Sequence, residues 1–353
     1  MKTNRKATIA VLSYHVWIQP RSIKIAKTLM KYGYSVKLWG ARSIQRRIKL
    51  ISSLLEYLLA MLDVALLKAD LYWVENIPDI VYLPLAMLGK KFIYDRRSPW
   101  AKEAAMSYRL PRLLLKFMEA IEVTMIKKSS YFVAVSTGLA KEFERIAKRT
   151  AVIPNYPEKS FIKPVTNDIR RELGVPPERK VLIYVGKLSK VEGTDLLPSV
   201  AENIAGLNAE LWIVGDGPAR NIVEKMKATY PKVVRWFGWV PYKEVPKYIA
   251  ASDIGLVPRH KTPFRIYYSH EGIHKITEYF VYGKPVIASG IAPSPYYIVV
   301  DPDKLGETVA KAVKGEIKLP KPPKLYWEEY SEPAILNIIK EITKDYLGQK
   351  GKV

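Results

Sequence analysis

Cysteine is absent from the 353 residues, which excludes disulfides, thiolate metal sites and a cysteine nucleophile. Histidine is scarce: His15, His260, His270 and His274 are scattered without ligand spacing, so a zinc centre is not expected. Two glycine signatures are missing as well. The first predicted strand runs into SYHVWIQPR without the G-x-G-x-x-G that a nicotinamide or flavin dinucleotide site needs. No G-x-x-x-x-G-K-[ST] loop occurs either, and a P-loop kinase falls with it. The longest apolar run, Leu50–Leu67, is broken by Glu56 and Asp63 and does not read as a membrane span. Met1–Lys6 leads straight into a strand-like run, so no leader peptide is expected. These absences point to a soluble or peripheral protein of the cytoplasm.

Acids are in short supply. Lysine and arginine number 57 against 34 aspartates and glutamates, a net charge of +23. The surplus is concentrated in residues 1–160, where 28 basic residues face 12 acidic ones, against 29 and 22 in the remainder. Such a first half calls for an anionic partner: a lipid surface, a nucleic acid or a phosphorylated substrate.

What is present is a globular balance, 48% apolar and 26% charged, in a length that suits two domains. Short β-rich runs alternate with helical-length segments throughout, the pattern of parallel α/β architecture. Predicted strands in the first half include Ala7–Tyr14, Leu71–Glu75 and Phe92–Asp95; predicted helices include Ser43–Lys68, Ile77–Leu88 and Trp100–Lys128. Pro157–Asp168, with two prolines and no periodicity, reads as a linker, after which the alternation restarts. The expected organisation is an α/β fold of two Rossmann-like domains facing a cleft. Residues 1–160 would form the first domain and 161–330 the second. A terminal helix and tail, 331–353, would pack back on the first domain.

Three strand-to-helix turns in the second half could carry chemistry. Gly186-Lys187-Leu188-Ser189-Lys190-Val191-Glu192-Gly193 precedes a helix opening near Thr194. Glycines admit a ligand to the backbone, free amides face the helix start, and Lys187 and Lys190 add charge, the parts needed to hold a diphosphate. A lysine-bearing surface loop is the plain alternative. Gly215-Asp216-Gly217-Pro218 is a tight turn with proline at a first helical position; it could approach a base or phosphate, though the turn alone explains it. If Glu271–Tyr279 is helical, Glu271, Lys275 and Glu278 share a face. A carboxylate there could take two hydrogen bonds from ribose hydroxyls, or the three could form an intrahelical ladder.

GKLSKVEGTDLL, WIVGDGPAR, VRWFGWVPYKEVPKYIAASDIGLVP and KITEYFVYGKPVIAS occur in this order and spacing, and the succession resembles the family 4 retaining glycosyltransferases of the type B fold. QPRSIKIAKTLMKYGYSVKLWG, FIYDRRSPWAKE, VAVSTGLAKEF and VIPNYP are similar to that family's amino-terminal landmarks. The resemblance implies metal-independent transfer of a sugar from a nucleotide diphosphate donor, with no cofactor. It also implies that Lys187 stands for a phosphate-binding arginine, Glu278 for the ribose-binding glutamate, and Gly215–Pro218 for the turn near the nucleotide. Three departures accompany it. Glu192 occupies the place of the second phosphate cation, which Lys190 would have to replace. Glu271 and Glu278 are separated by six residues rather than seven. Tyr94-Asp95-Arg96-Arg97-Ser98 stands where a Tyr-Asp-x-His-Glu landmark is usual, so Arg97 replaces a histidine near the reacting sugar.

The resulting expectation is stabilisation of the leaving diphosphate by Lys187, Lys190 and the helix start, with Asp95 and Arg97 on the acceptor side or, alternatively, in a structural salt bridge. The two long basic segments Ser43–Lys68 and Arg109–Lys128 suggest docking on an anionic membrane face, against the plainer reading of helices packed on a sheet. In Ser43–Lys68 the stripe Ile44, Ile48, Ile51, Leu55 and Leu58 is expected to be buried. A glycan or lipid-linked acceptor at the inner face of the plasma membrane would follow. Nucleic acid is not expected as a partner, because the tyrosines do not cluster with the basic residues. The rival readings are a nucleotide-sugar 2-epimerase of the same fold and a catalytically silent lipid- or nucleic-acid-binding relative.

Overall fold

The computed structural model describes residues 7–14, 20–41, 49–162 and 169–350. Two compact units emerge: Met1–Pro154 together with Tyr330–Val353, and Asn155–Glu329.

In the first unit six parallel strands are described: β1 (Thr8–Leu12), β2 (Ser35–Trp39), β3 (Leu71–Glu75), β4 (Phe92–Arg96), β5 (Tyr131–Ala134) and β6 (Thr150–Val152). Their order is β2-β1-β3-β4-β5-β6. The second unit repeats the design with β7 (Lys180–Val185), β8 (Ala209–Val214), β9 (Val234–Trp236), β10 (Ile254–Val257), β11 (Val286–Ser289) and β12 (Ile298–Val300), in the order β12-β11-β10-β7-β8-β9. Strands such as VLIYV and LYWV are buried on both faces, as helix-covered parallel sheets require. The register sets Ile183 beside Trp212 on one side and Gly255 on the other.

These orders decide where ligands can go. A crevice opens outside the carboxyl ends of two neighbouring strands whose connections run in opposite directions. That switch point lies between β1 and β3 in the first sheet and between β7 and β10 in the second. The expected pair of Rossmann-like domains is therefore present.

Several local expectations change. The segment expected as one helix over 100–128 is two, Trp100–Tyr108 and Arg112–Lys128. Arg109 adopts the left-handed region, φ +50°, and Pro111 cannot continue a helix by donating an amide. Residues 77–88 form a 3-10 turn, Asp79–Tyr82, and a short helix, Leu83–Met87, after a cis Ile77–Pro78 bond.

The largest change concerns helix Lys49–Leu66. Leu55 and Leu58 are exposed, as are Leu59, Leu62 and Leu66, while Glu56, Ala60 and Val64 are buried. The expected burial of the leucines is thus reversed: the face bearing Glu56, Ala60 and Val64 is the covered one, and the helix packs on the 3-10 turn Asp79–Tyr82 and the helix Leu83–Met87. Ile44 and Ile48 of the expected stripe lie outside the described residues. Helix Arg112–Lys128 likewise presents Leu113 and Phe117 outward.

The last helix, Trp327–Lys350, joins the first unit from Tyr330 on. Ser331 Oγ donates to the Pro154 carbonyl, the Lys31 ammonium meets the Glu332 carboxylate at 2.9 Å, and Ile335, Ile338 and Ile339 are buried. It packs back on the first unit as expected.

Candidate functional site

In the second unit the loops following β7, β8 and β10 are locked together at the switch point. The Gly186 amide donates to the Val214 carbonyl at 2.9 Å, and the Leu188 amide to Asp216 at 3.0 Å. Gly215 has φ +142°, and a Cβ on it would stand 1.9 Å from the Gly186 carbonyl oxygen, so only glycine fits. Gly193, at φ +73°, would push a Cβ to 2.1 Å from the Pro258 carbonyl oxygen, beyond the end of β10. The Asp216 carboxylate accepts from the Gly217 amide at 2.7 Å and shapes that turn.

Lys187 and Lys190 are exposed on the first loop, and among the described residues neither has an ion-pair partner. The amides that the sequence assigned to the helix start are spent within the loop itself. Gly193 donates to Lys190, Thr194 to Ser189, and Glu192 to the Ser189 hydroxyl. The helix opens with a 3-10 turn, Thr194–Leu196. Side chains, not these amides, must therefore supply the positive charge.

Those side chains include Lys275, which the sequence offered as a donor-binding residue, and Arg259, which it did not. Glu192 does not stand alone: its carboxylate meets Arg259 Nη2 at 2.5 Å and Lys275 Nζ at 2.8 Å. Burial works to raise its pKa, but the two cations and the nearby Lys187 hold it down at about 2. Burial opposes the Lys275 ammonium, yet Glu192 keeps its pKa above the ordinary lysine value. Lys275 Nζ also lies 4.6 Å from the centre of the Tyr184 ring, a cation–π contact. Arg259 was missed from sequence; its only signal there is a position just past a strand end.

Glu271 and Glu278 do not share a helix face. The helix is His274–Val281, and Glu271 sits in the turn before it, where its carboxylate accepts from the Ser269 hydroxyl and its carbonyl from the Asn155 amide. The Asn155 side chain also contacts the His274 ring. Glu278 is buried on the helix and accepts from the Tyr242 hydroxyl at 2.8 Å. Tyr242 is a second residue that sequence reasoning did not find.

At the switch point of the first unit, Asp95 proves structural. It is wholly buried, takes a bidentate pair from Arg21 at 2.9 Å and accepts from Trp73 Nε1. A carboxylate so engaged is unavailable to an acceptor, and its expected acceptor-side role is set aside. Arg97 instead faces Glu75, with Nη1 3.4 Å from Oε2. Glu75 ends β3 and is fully buried. Burial pushes its pKa up to about 7 against the pull of Arg97. Among the described residues no three metal-ligating side chains converge.

Two parallel six-stranded Rossmann-like sheets, with a glycine-bounded cationic loop at the switch point of the second, define the type B glycosyltransferase fold. Sucrose-phosphate synthase from Thermosynechococcus elongatus shares it at 16% identity, with a TM-score of 0.66 over 98% of this chain and 100% of that one. HepE from Anabaena, solved with UDP and glucose, matches at 14% identity and a TM-score of 0.63 over 97% and 100%. Residues 165–312, within the second unit, match the family described as glycosyl transferases group 1. An uncharacterized 41.2 kDa protein in the cps region of Klebsiella pneumoniae is 25% identical over 219 residues, 62% of this chain. The chain spans about half of that relative's length, 54%.

Proposed function

We propose that the protein moves a sugar from a nucleoside diphosphate donor to a glycan or lipid-linked acceptor, with retention at the anomeric carbon and without a metal ion. The observation that carries this reading is the locked loop Gly186–Gly193 with its cations at the switch point of the second sheet. Departure of the diphosphate builds negative charge on its bridging oxygen, and pre-positioned cations stabilise that charge. The bond from the anomeric carbon to the leaving oxygen breaks while the acceptor hydroxyl adds on the same face. The hydroxyl proton passes to the departing phosphate, so no carboxylate nucleophile is needed. Glu278 holds the ribose hydroxyls, in exchange for or alongside its bond to Tyr242.

UDP is the first nucleotide to try, since the Anabaena relative was solved with it. Calorimetry of the full chain against UDP, GDP and ADP, followed by turnover with the matching sugars in chelator, tests the reading. Binding of one diphosphate and chelator-resistant transfer with retained configuration is the expected result; inverted product or strict metal dependence would refute it.

We also propose that the first unit docks on an anionic membrane face from the cytoplasm. Supporting this are the outward Leu58, Leu62, Leu113 (79% exposed) and Phe117 (54% exposed) on helices Lys49–Leu66 and Arg112–Lys128, beside Arg109, Arg112 and Lys116. Apolar insertion and electrostatic attraction act together at a lipid interface. No described helix is long and apolar enough to cross a membrane. Sedimentation should require anionic vesicles, weaken with salt, and fall on reversing Arg112 and Lys116 to glutamate. Equal sedimentation with neutral vesicles, or none with either, would count against it.

A further inference from the structure

The carboxylate of Glu192 sits in the loop that should hold a diphosphate, where its charge has the wrong sign. Its surroundings explain how that is tolerated. Arg259 arrives from beyond β10 and Lys275 from the helix His274–Val281, and both converge on the one carboxylate. One negative charge cannot neutralise two cations, so the buried cluster carries a surplus positive charge, to which Lys187 on the same loop adds. Lys275 lies against the loop backbone: a Cβ on Gly186 would stand 2.7 Å from its Nζ. Arg259 has a buried Nε without a hydrogen-bond partner, and its guanidinium stacks 5.0 Å from the Tyr268 ring centre. Burying surplus charge with an unused donor is costly unless an anion completes the set.

We propose that Arg259 and Lys275 are the second cationic pair for the donor diphosphate, with Glu192 as the positioning residue that holds them at the switch point when the donor is absent. The sign of the charge at 192 is inverted, and the cations are supplied from two other elements instead. The incoming diphosphate then competes with Glu192 for hydrogen bonds that are already aimed at the loop. Lys190, exposed on the loop, adds charge but is not a member of this pair. The inference rests on the donor reading above and assigns its phosphate contacts.

The test is calorimetry on the full chain with UDP, GDP and ADP and, for whichever binds, its monophosphate, comparing wild type with Arg259→Gln, Lys275→Gln, Lys190→Gln and Glu192→Lys. Arg259→Gln should weaken diphosphate binding at least tenfold and monophosphate binding less than threefold, because base and ribose contacts are intact. Lys275→Gln should act in the same direction; if it fails to fold, Arg259→Gln decides alone. Lys190→Gln should weaken diphosphate binding less than Arg259→Gln does, because its side chain is exposed on the loop. Glu192→Lys should lower the melting temperature without tightening binding, since it sets a third cation against two. Diphosphate affinity unchanged in Arg259→Gln, or tightened in Glu192→Lys, would overturn the inference while the donor reading stands. Absence of diphosphate binding in wild type would overturn the donor reading itself, and the inference with it.

Discussion

Glu75→Gln should make the protein less sensitive to alkaline pH. The native carboxyl is fully buried, and Arg97 at 3.4 Å, helped by Arg21 and the Ser13 hydroxyl, favours its charge less than burial opposes it. Its pKa is raised from 4.5 to about 7. Between those values the folded chain keeps a proton that the unfolded chain releases, so stability falls as pH rises through this window and levels off above it. At 1.36 kcal/mol per pKa unit, the loss between pH 5 and pH 8 is about 2.5 kcal/mol. Glutamine mimics the neutral acid in size and cannot ionise. The stability of the variant relative to wild type should therefore grow by that amount from pH 5 to pH 8. For a unit of this size the change corresponds to about 5–10 °C in melting temperature. Asp79, also raised to about 7 by burial and by Glu122, adds a fall of the same sign in both proteins and cancels in the difference. Thermal melts of both proteins at four pH values between 5 and 8 provide the assay. A difference that stays constant across that range would refute the reasoning.

Lys187→Ala should weaken diphosphate binding by about 1.5–3 kcal/mol, the worth of a charge-assisted hydrogen bond, as read by calorimetry. Gly193→Ala should cost about 2–3 kcal/mol in unfolding experiments, because its φ of +73° and the Pro258 carbonyl both oppose a Cβ. Gly206→Ala, with nothing within 4 Å, should be close to neutral. Asp95→Asn should lower stability by about 3–5 kcal/mol by leaving Arg21 buried without its counter-charge; an unchanged melting temperature with lost turnover would instead restore Asp95 to chemistry.

Hydrophobic periodicity made the fold readable along the chain. Short runs such as VLIYV and LYWV, rich in β-branched and aromatic residues, read as strands buried on both faces, and alternation with helical segments leaves the doubly wound parallel sheet as the economical solution. The loops at Gly186 and Gly215 were readable too, since glycine at a strand-to-helix turn is a local requirement of the backbone.

Burial polarity of helix Lys49–Leu66 was not readable. An apolar stripe along a helix does not say which face the rest of the fold will cover, and here the leucines point outward while Glu56 is buried. Arg259, and the pairing of Lys275 with Glu192, were beyond local reasoning for a different reason. Their partner Glu192 is 67 and 83 residues away, and charges so far apart in sequence meet only once β7 and β10 lie side by side. Asp95 changed role on the same ground: Arg21, 74 positions earlier, reaches it only across the folded sheet. Sequence alone determined the strands, the turns and the sign of the total charge, because those follow from neighbours along the chain. Tertiary structure decided which charges neutralise one another and which remain for a ligand, because Coulomb energy depends on distance through space and on burial.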